Sequence, residues 1–293
     1  MNRREFLAAG ALGALTSARA QTADSRIEIL TAEPIGRIAP EIYGHFVEHL
    51  GGVVYDGIWV GEGSKIANQG GIRTALVEAL KRIKPAVVRW PGGCFADSYN
   101  WRDGIGPRNF RPRRANFWLG SREWPKDAPD GPWKYDPNHF GTQEFLRFCE
   151  LVGAQPYLAA NLRSLTARDF YEWVDYVNAP TGTTTLAELR AAHGHKEPYN
   201  VRYWGIGNES WGCGGNFQPE EYSVEYRRFA EWVPRFGTNL SFIGAGPNGG
   251  DLNWSRRFFE KLAAKGGFGR MWGWALHHYS SNVSAGLTTD WVL

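Results

Sequence analysis

From residue 38 onward the chain alternates two hydrophobic rhythms. Short, nearly continuous apolar runs fall at 38–46, 86–90, 155–161, 201–206, 242–245 and 271–279. Runs of that length, rich in β-branched and aromatic residues, predict buried strands. Between them lie segments with an apolar residue at every third or fourth position: 71–84, 142–152, 167–177, 219–236 and 254–264. In the first of these, Ile72, Leu76, Leu80 and Ile83 share one helical face. Strand and helix patterns in strict alternation predict a parallel α/β sheet or barrel. A short strand is also expected at 25–30. A closed (β/α)8 barrel has eight strands and runs to roughly 250 residues. Two long connections, 92–138 and 178–199, take up much of the length here, so the pattern gives about six of the eight units. Connections as long as 92–138 in a compact domain are usually functional.

The run at 201–206 stops abruptly in Gly207-Asn208-Glu209. The polar pair therefore sits at the C-terminal end of a buried strand, which in a barrel is the catalytic face. A carboxyl group there, beside an amide able to bind a sugar hydroxyl, suits acid/base attack on a glycosidic bond. An isolated strand-end Glu is more simply a solvated loop residue. Four other strand ends change that balance. They carry His45, Glu48 and His49; Arg89-Trp90-Pro91-Gly92-Gly93-Cys94-Phe95-Ala96-Asp97; Asn161; and His277-His278-Tyr279. Each has a plain structural alternative, the arginine as an ion-pair partner and the histidines as satisfied core residues. Five polar strand ends on one face are hard to explain as packing.

Composition narrows the class. The chain has 293 residues, 43% of them hydrophobic, and a net charge of +3, which is globular and too weakly charged to imply nucleic acid. The one local basic cluster, Arg108, Arg111, Arg113 and Arg114, is expected to face solvent or to hold its loop. Fourteen Trp and twelve Tyr suit sugar stacking and core filling equally. Residues 1–20 read as a leader: Arg3-Arg4-Glu5-Phe6-Leu7, an apolar stretch too short to span a bilayer, then Ala18-Arg19-Ala20 before Gln21. Twin-arginine export followed by cleavage is expected, with an uncleaved anchor as the alternative. Three cysteines are too few for a disulfide framework. Cys149 falls in a helical pattern and reads as core. Cys94 and Cys213 end the second and fourth strands, and tips at that spacing can reach bridging distance if their loops lean inward. A bridge and two buried free thiols both remain open.

Five segments together resemble glycoside hydrolase family 51, the retaining α-L-arabinofuranosidases of clan A. They are Ile42-Tyr43-Gly44-His45-Phe46-Val47-Glu48-His49-Leu50-Gly51-Gly52, the 89–97 segment above, Asp103-Gly104-Ile105-Gly106-Pro107, Phe140-Gly141-Thr142-Gln143-Glu144-Phe145, and 205–215 with its Trp211-Gly212-Cys213-Gly214-Gly215. The resemblance implies a (β/α)8 barrel over 36–293, incomplete here, with 25–35 a strand that would pair with a C-terminal β-sandwich. It implies that Glu209 is the general acid/base and that Asn208 binds the sugar 2-hydroxyl. It places Glu48 and Cys94 beside the arabinose and has His277 and Tyr279 line the deepest subsite. Arg89 would lie beneath the carboxylates, with Trp90 supporting it. The clan's nucleophile ends the seventh strand, so this chain alone is expected to be inactive. The implied partner is an arabinose-containing polysaccharide or oligosaccharide, with no metal or other cofactor, and the full-length form is expected to be a homo-oligomer. Another clan A glycosidase, an endoglucanase or β-xylosidase, and a non-catalytic sugar-binding protein are the competing readings.

Export is directly testable. Replacing Arg3 and Arg4 together with Lys should shift the protein from the periplasmic to the cytoplasmic fraction, and unchanged export would refute the twin-arginine reading.

Overall fold

The computed structural model describes residues 28–119 and 134–279. The leader and part of the long loop lie outside the described residues. Residues 1–39 and 40–293 separate as two units. In the first, residues 28–30 are irregular rather than the end of a strand. Thr31 and Glu33 donate N–H bonds back to the Ile29 and Leu30 carbonyls, so a turn uses the groups that a ladder would need.

The second unit is built on six parallel strands lying side by side in chain order. They are β1 (His45–Phe46), β2 (Val87–Trp90), β3 (Gln155–Ala160), β4 (Tyr203–Ile206), β5 (Ser241–Asn248) and β6 (Met271–His277). Helices α1 (Thr74–Ile83), α2 (Thr142–Val152), α3 (Ala167–Asn178), α5 (Pro219–Ala230) and α6 (Leu252–Ala263) join them. This curled parallel sheet with helical crossovers is six units of a (β/α)8 barrel.

Two elements depart from the sequence reading. The first strand was expected over 38–46, but Pro40–Tyr43 is a 3-10 turn and only His45–Phe46 pairs with β2. Pro40 offers no N–H to a ladder. Gly44 lies so close to β2 that a Cβ would stand 2.5 Å from Val87 Cγ1. The stretch 178–199 also contains a helix, α4 (Thr185–Ala192), capped by the Thr184 side chain on the Ala187 N–H. Its polarity hid it, because only Ala187 and Arg190 are buried. Arg190 fills its bonds with carbonyls of Tyr176, Ala179, His195 and Lys196.

Period-two alternation assigns the strand faces. Val88, Trp90, Leu158, Ala160, Trp204, Ile206 and Phe242 belong to the main core with Phe145, Phe170, Trp173, Tyr222 and Phe258 of the helices. Val87, Tyr203 and Ile243, with Tyr157 and Ala275, form a separate small cluster on the other face, as expected for side chains filling a barrel interior. The expected α1 face is met at Leu76 and Leu80, which pack on the core, while Ile83 is exposed.

Tyr222 ties this core to the ladder. Its buried hydroxyl donates to the Ile206 carbonyl at 2.7 Å and accepts from the Ala245 N–H at 2.6 Å. Tyr222→Phe would leave both backbone groups without that partner inside the core. It should destabilise the protein by about 1–3 kcal/mol in urea unfolding; a change below 0.5 kcal/mol would mean that water replaces the hydroxyl there.

Candidate active site

The six parallel strands bring their C-terminal ends together, and part of the polar set found there in the sequence converges on one cavity of about 360 Å³. Glu48, Arg89, Cys94, Asn208, Glu209, His277 and Tyr279 all line it. Trp90 does not. It is fully buried, stacked on Phe145, and donates its indole N–H to His49 Nε2 at 2.9 Å. The His49 Nδ1 faces Asp136 at 2.8 Å. His49 is thus a buried core histidine just past β1. Asn161 also serves structure, bonding the Tyr99 carbonyl and Ser164.

Glu209 stands at the centre. It follows β4 through Gly207, and both are left-handed, with φ of 78° and 39°. The first suits glycine, whereas a glutamate at positive φ is unusual. One carboxylate oxygen, Oε1, meets His277 Nδ1 at 3.0 Å. The other, Oε2, lies 3.5 and 3.7 Å from the sulfurs of Cys213 and Cys94. These two cysteines are joined, with Cα atoms 5.5 Å apart across 119 residues of sequence. The bridged alternative is therefore the one adopted. A disulfide carries no proton, so the sulfurs pack on Oε2 without donating to it, and they offer no thiolate to a metal. Cys149 is free and buried, as its helical position implied.

Glu48 is buried, and its Oε1 accepts N–H bonds from Gly93 at 2.8 Å and Phe95 at 3.1 Å. Burial raises its pKa, and those two bonds and the Arg89 charge only partly offset the rise. Arg89 lies under the Phe46 ring at 4.3 Å and donates to Asn208 Oδ1 at 3.2 Å. It therefore fixes the amide rotamer, leaving Asn208 Nδ2 3.8 Å from the Cys213 sulfur. The Tyr279 phenol is raised chiefly by the Glu209 charge.

Sequence reasoning missed Trp118, Phe46 and Leu276, which also line the cavity. Trp118 comes from the long loop, where only the loop's length gave a signal. The basic cluster behaves as expected of loop anchors. Arg111 grips both Glu144 oxygens and the Gly106 carbonyl, Arg108 reaches Glu144 and Glu62, and Arg114 pairs with Asp103.

A carboxylate between a histidine and an aprotic disulfide, beside a fixed amide, thus stands at the strand tips of a parallel α/β barrel sheet. Comparison with known proteins makes this specific. The Alpha-L-arabinofuranosidase 1 domain matches residues 79–283. The intracellular exo-alpha-L-arabinofuranosidase of Bacteroides ovatus is 41% identical over 83% of this chain and 44% of its own length. Alpha-L-arabinofuranosidase C of Emericella nidulans is 39% identical over 73% and 40%. The GH51 arabinofuranosidase structure from Xanthomonas axonopodis pv. citri superposes with a TM-score of 0.76 at 37% identity, covering 85% of this chain and 47% of that one. The arabinose complex of the Thermotoga maritima enzyme gives 0.69 at 35%, covering 82% and 46%. The chain belongs to glycoside hydrolase family 51, and it spans less than half the length of these relatives.

The bridge makes a simple prediction. Unfolded without reductant, the protein should show one reactive thiol, Cys149, and after reduction all three cysteines. Replacing Cys94 and Cys213 with Ser should cost about 2–4 kcal/mol of stability. Three reactive thiols before reduction would overturn the pairing.

Proposed function

We propose that the protein releases terminal α-L-arabinofuranosyl residues from arabinose-containing polysaccharides or oligosaccharides with retention of configuration. The observation that carries this reading is the Glu209 carboxylate at the tip of β4, held by His277 on one oxygen and packed on sulfur at the other. Glu209 is the general acid that protonates the leaving oxygen and later the base that activates water. Asn208, its amide fixed by Arg89, takes the 2-hydroxyl of the arabinose. Glu48 accepts from furanose hydroxyls deeper in the cavity, with Cys94 beside the ring and Tyr279 at the wall. His277 orients Glu209 and the nucleophile.

Retention requires a second carboxylate about 5 Å from the acid. Glu48 turns Oε1 to the Gly93 and Phe95 N–H groups and is assigned to furanose hydroxyls, so this reading takes the nucleophile from outside the described residues. Arg89 then supplies positive charge that favours its ionised form. Export through the leader, cleavage after Ala20 and homo-oligomer formation belong to the same proposal. No helix of the described residues is long and apolar enough to cross a membrane.

The decisive experiment compares the 293-residue chain with a chimera in which the C-terminal half of the Xanthomonas relative follows residue 279. The chimera should hydrolyse an aryl α-L-arabinofuranoside and the short chain should not. Glu209→Ala should lower kcat by ~10²–10⁴-fold. Azide should restore part of the rate on a substrate with a good leaving group, because the first step then needs no acid. Turnover by the short chain would overturn the placement of the nucleophile. An active chimera indifferent to Glu209→Ala would overturn the assignment of the acid.

A further inference from the structure

Asp97 is wholly buried and does not line the cavity, yet it grips two neighbouring strand ends. It sits in the 3-10 turn Ala96–Ser98 that follows β2. Its Oδ1 accepts the Leu162 N–H at 2.7 Å and the Arg163 N–H at 3.4 Å, both just past β3. Its Oδ2 accepts the Asn208 N–H at 3.0 Å, just past β4. The loop that carries Cys213 closes over the same group. A Cβ on Gly214 would stand 1.7 Å from the Asn208 carbonyl oxygen and 2.9 Å from Asp97 Oδ2.

The Asn208 N–H lies between two residues of positive φ, Gly207 and Glu209. An L-residue in that region is strained and persists only where its surroundings over-determine it. The Asp97 bond reaches the middle of that turn. We infer that Asp97 is a positioning residue for the acid/base, its carboxylate holding the Asn208 amide and through it the left-handed backbone that aims Glu209 at the cavity. The inference rests on the reading of Glu209 as the acid.

All three partners of Asp97 are N–H donors, so both oxygens must accept. A protonated Asp97, or an asparagine in its place, turns one oxygen into a donor facing a donor. Burial raises the Asp97 pKa to about 7, against the lowering effect of the three N–H bonds and of the Arg163 charge. Arg163 follows β3, and from α5 the Tyr222 phenol feels the Asp97 charge and is raised by it. The carboxylate thus takes up its proton as pH falls through about 7, and the hold on Asn208 weakens in that direction.

Two measurements test this. In the unaltered 293-residue chain, the Leu162 and Asn208 backbone amide resonances should move together between pH 6 and 8, and in Asp97→Asn they should not. In the chimera described above, Asp97→Asn should reduce kcat on a substrate with a poor leaving group ~10–100-fold, leave KM within about 3-fold, and cost far less on a dinitrophenyl leaving group, where acid assistance is dispensable. The acid limb of its pH profile should also lose the contribution near 7. Equal losses on both leaving groups, or amides that titrate independently, would overturn the inference. A chimera without arabinofuranosidase activity would count against the reading of the reaction and leave the amide titration to decide the role of Asp97.

Discussion

The site depends on one turn, the four residues that take the chain out of β4. A parallel strand ends with its last N–H and carbonyl groups pointing along the sheet, and the chain must bend sharply to enter the next helix. Here it bends through Gly207 and then Glu209, both left-handed. The interior explains why the strand can run straight up to that bend. Gly205 leaves room for Tyr157, whose ring would lie 2.9 Å from any Cβ there, and Tyr222 caps the last carbonyl of β4 from the helix side. The turn is then closed downstream, where the Gly212 and Gly214 N–H groups return to the Glu209 carbonyl at 2.7 and 3.1 Å. These contacts fix the Glu209 backbone, from which the side chain reaches the cavity.

Two carboxylates near the cavity are held by backbone N–H groups rather than by cations. Glu48 takes two and Asp97 three. Burial raises both, and the N–H bonds only partly offset it. Fixed backbone dipoles hold both carboxylates in place. For Asp97, with a folded pKa of about 7 against an ordinary 3.8, the linkage sign is clear. Its contribution favours the folded state below the ordinary value and is lost as pH rises through about 7, so an ionised Asp97 costs the fold on the order of a few kcal/mol.

Legibility in the sequence followed the strength of periodicity. The helix at 142–152 was placed to the residue, and β2 to β6 to within a few positions, because long apolar repeats are dictated by burial of one face. The first strand was overextended because Ile38, Ile42 and Tyr43 are apolar yet exposed. Hydrophobicity cannot report that Pro40 and Gly44 impose a turn. Helix α4 was invisible for the converse reason, since its buried residues are one alanine and one arginine. The site residues at strand ends were legible because strand, tip and loop are adjacent in sequence. Trp118 was not, since a long loop's path is set by contacts such as Arg111 with Glu144 and Asn138 that no local pattern encodes. The bridge could be posed but not decided, because it depends on loop lean rather than on strand spacing.

The disulfide and Asp97 join the same two loops and constrain different things. The covalent tie sets the distance between the 93–97 and 208–214 segments. The carboxylate, bonding a single N–H in the middle of a turn, sets orientation. Glu209 lies between them. Its Oε1 meets His277 Nδ1 at 3.0 Å. Oε2 faces two sulfurs that have nothing to donate. A pair of thiols in place of the bridge would set two S–H donors against that oxygen. The bridge therefore does more than tie two loops together: it gives one face of Glu209 an aprotic neighbour.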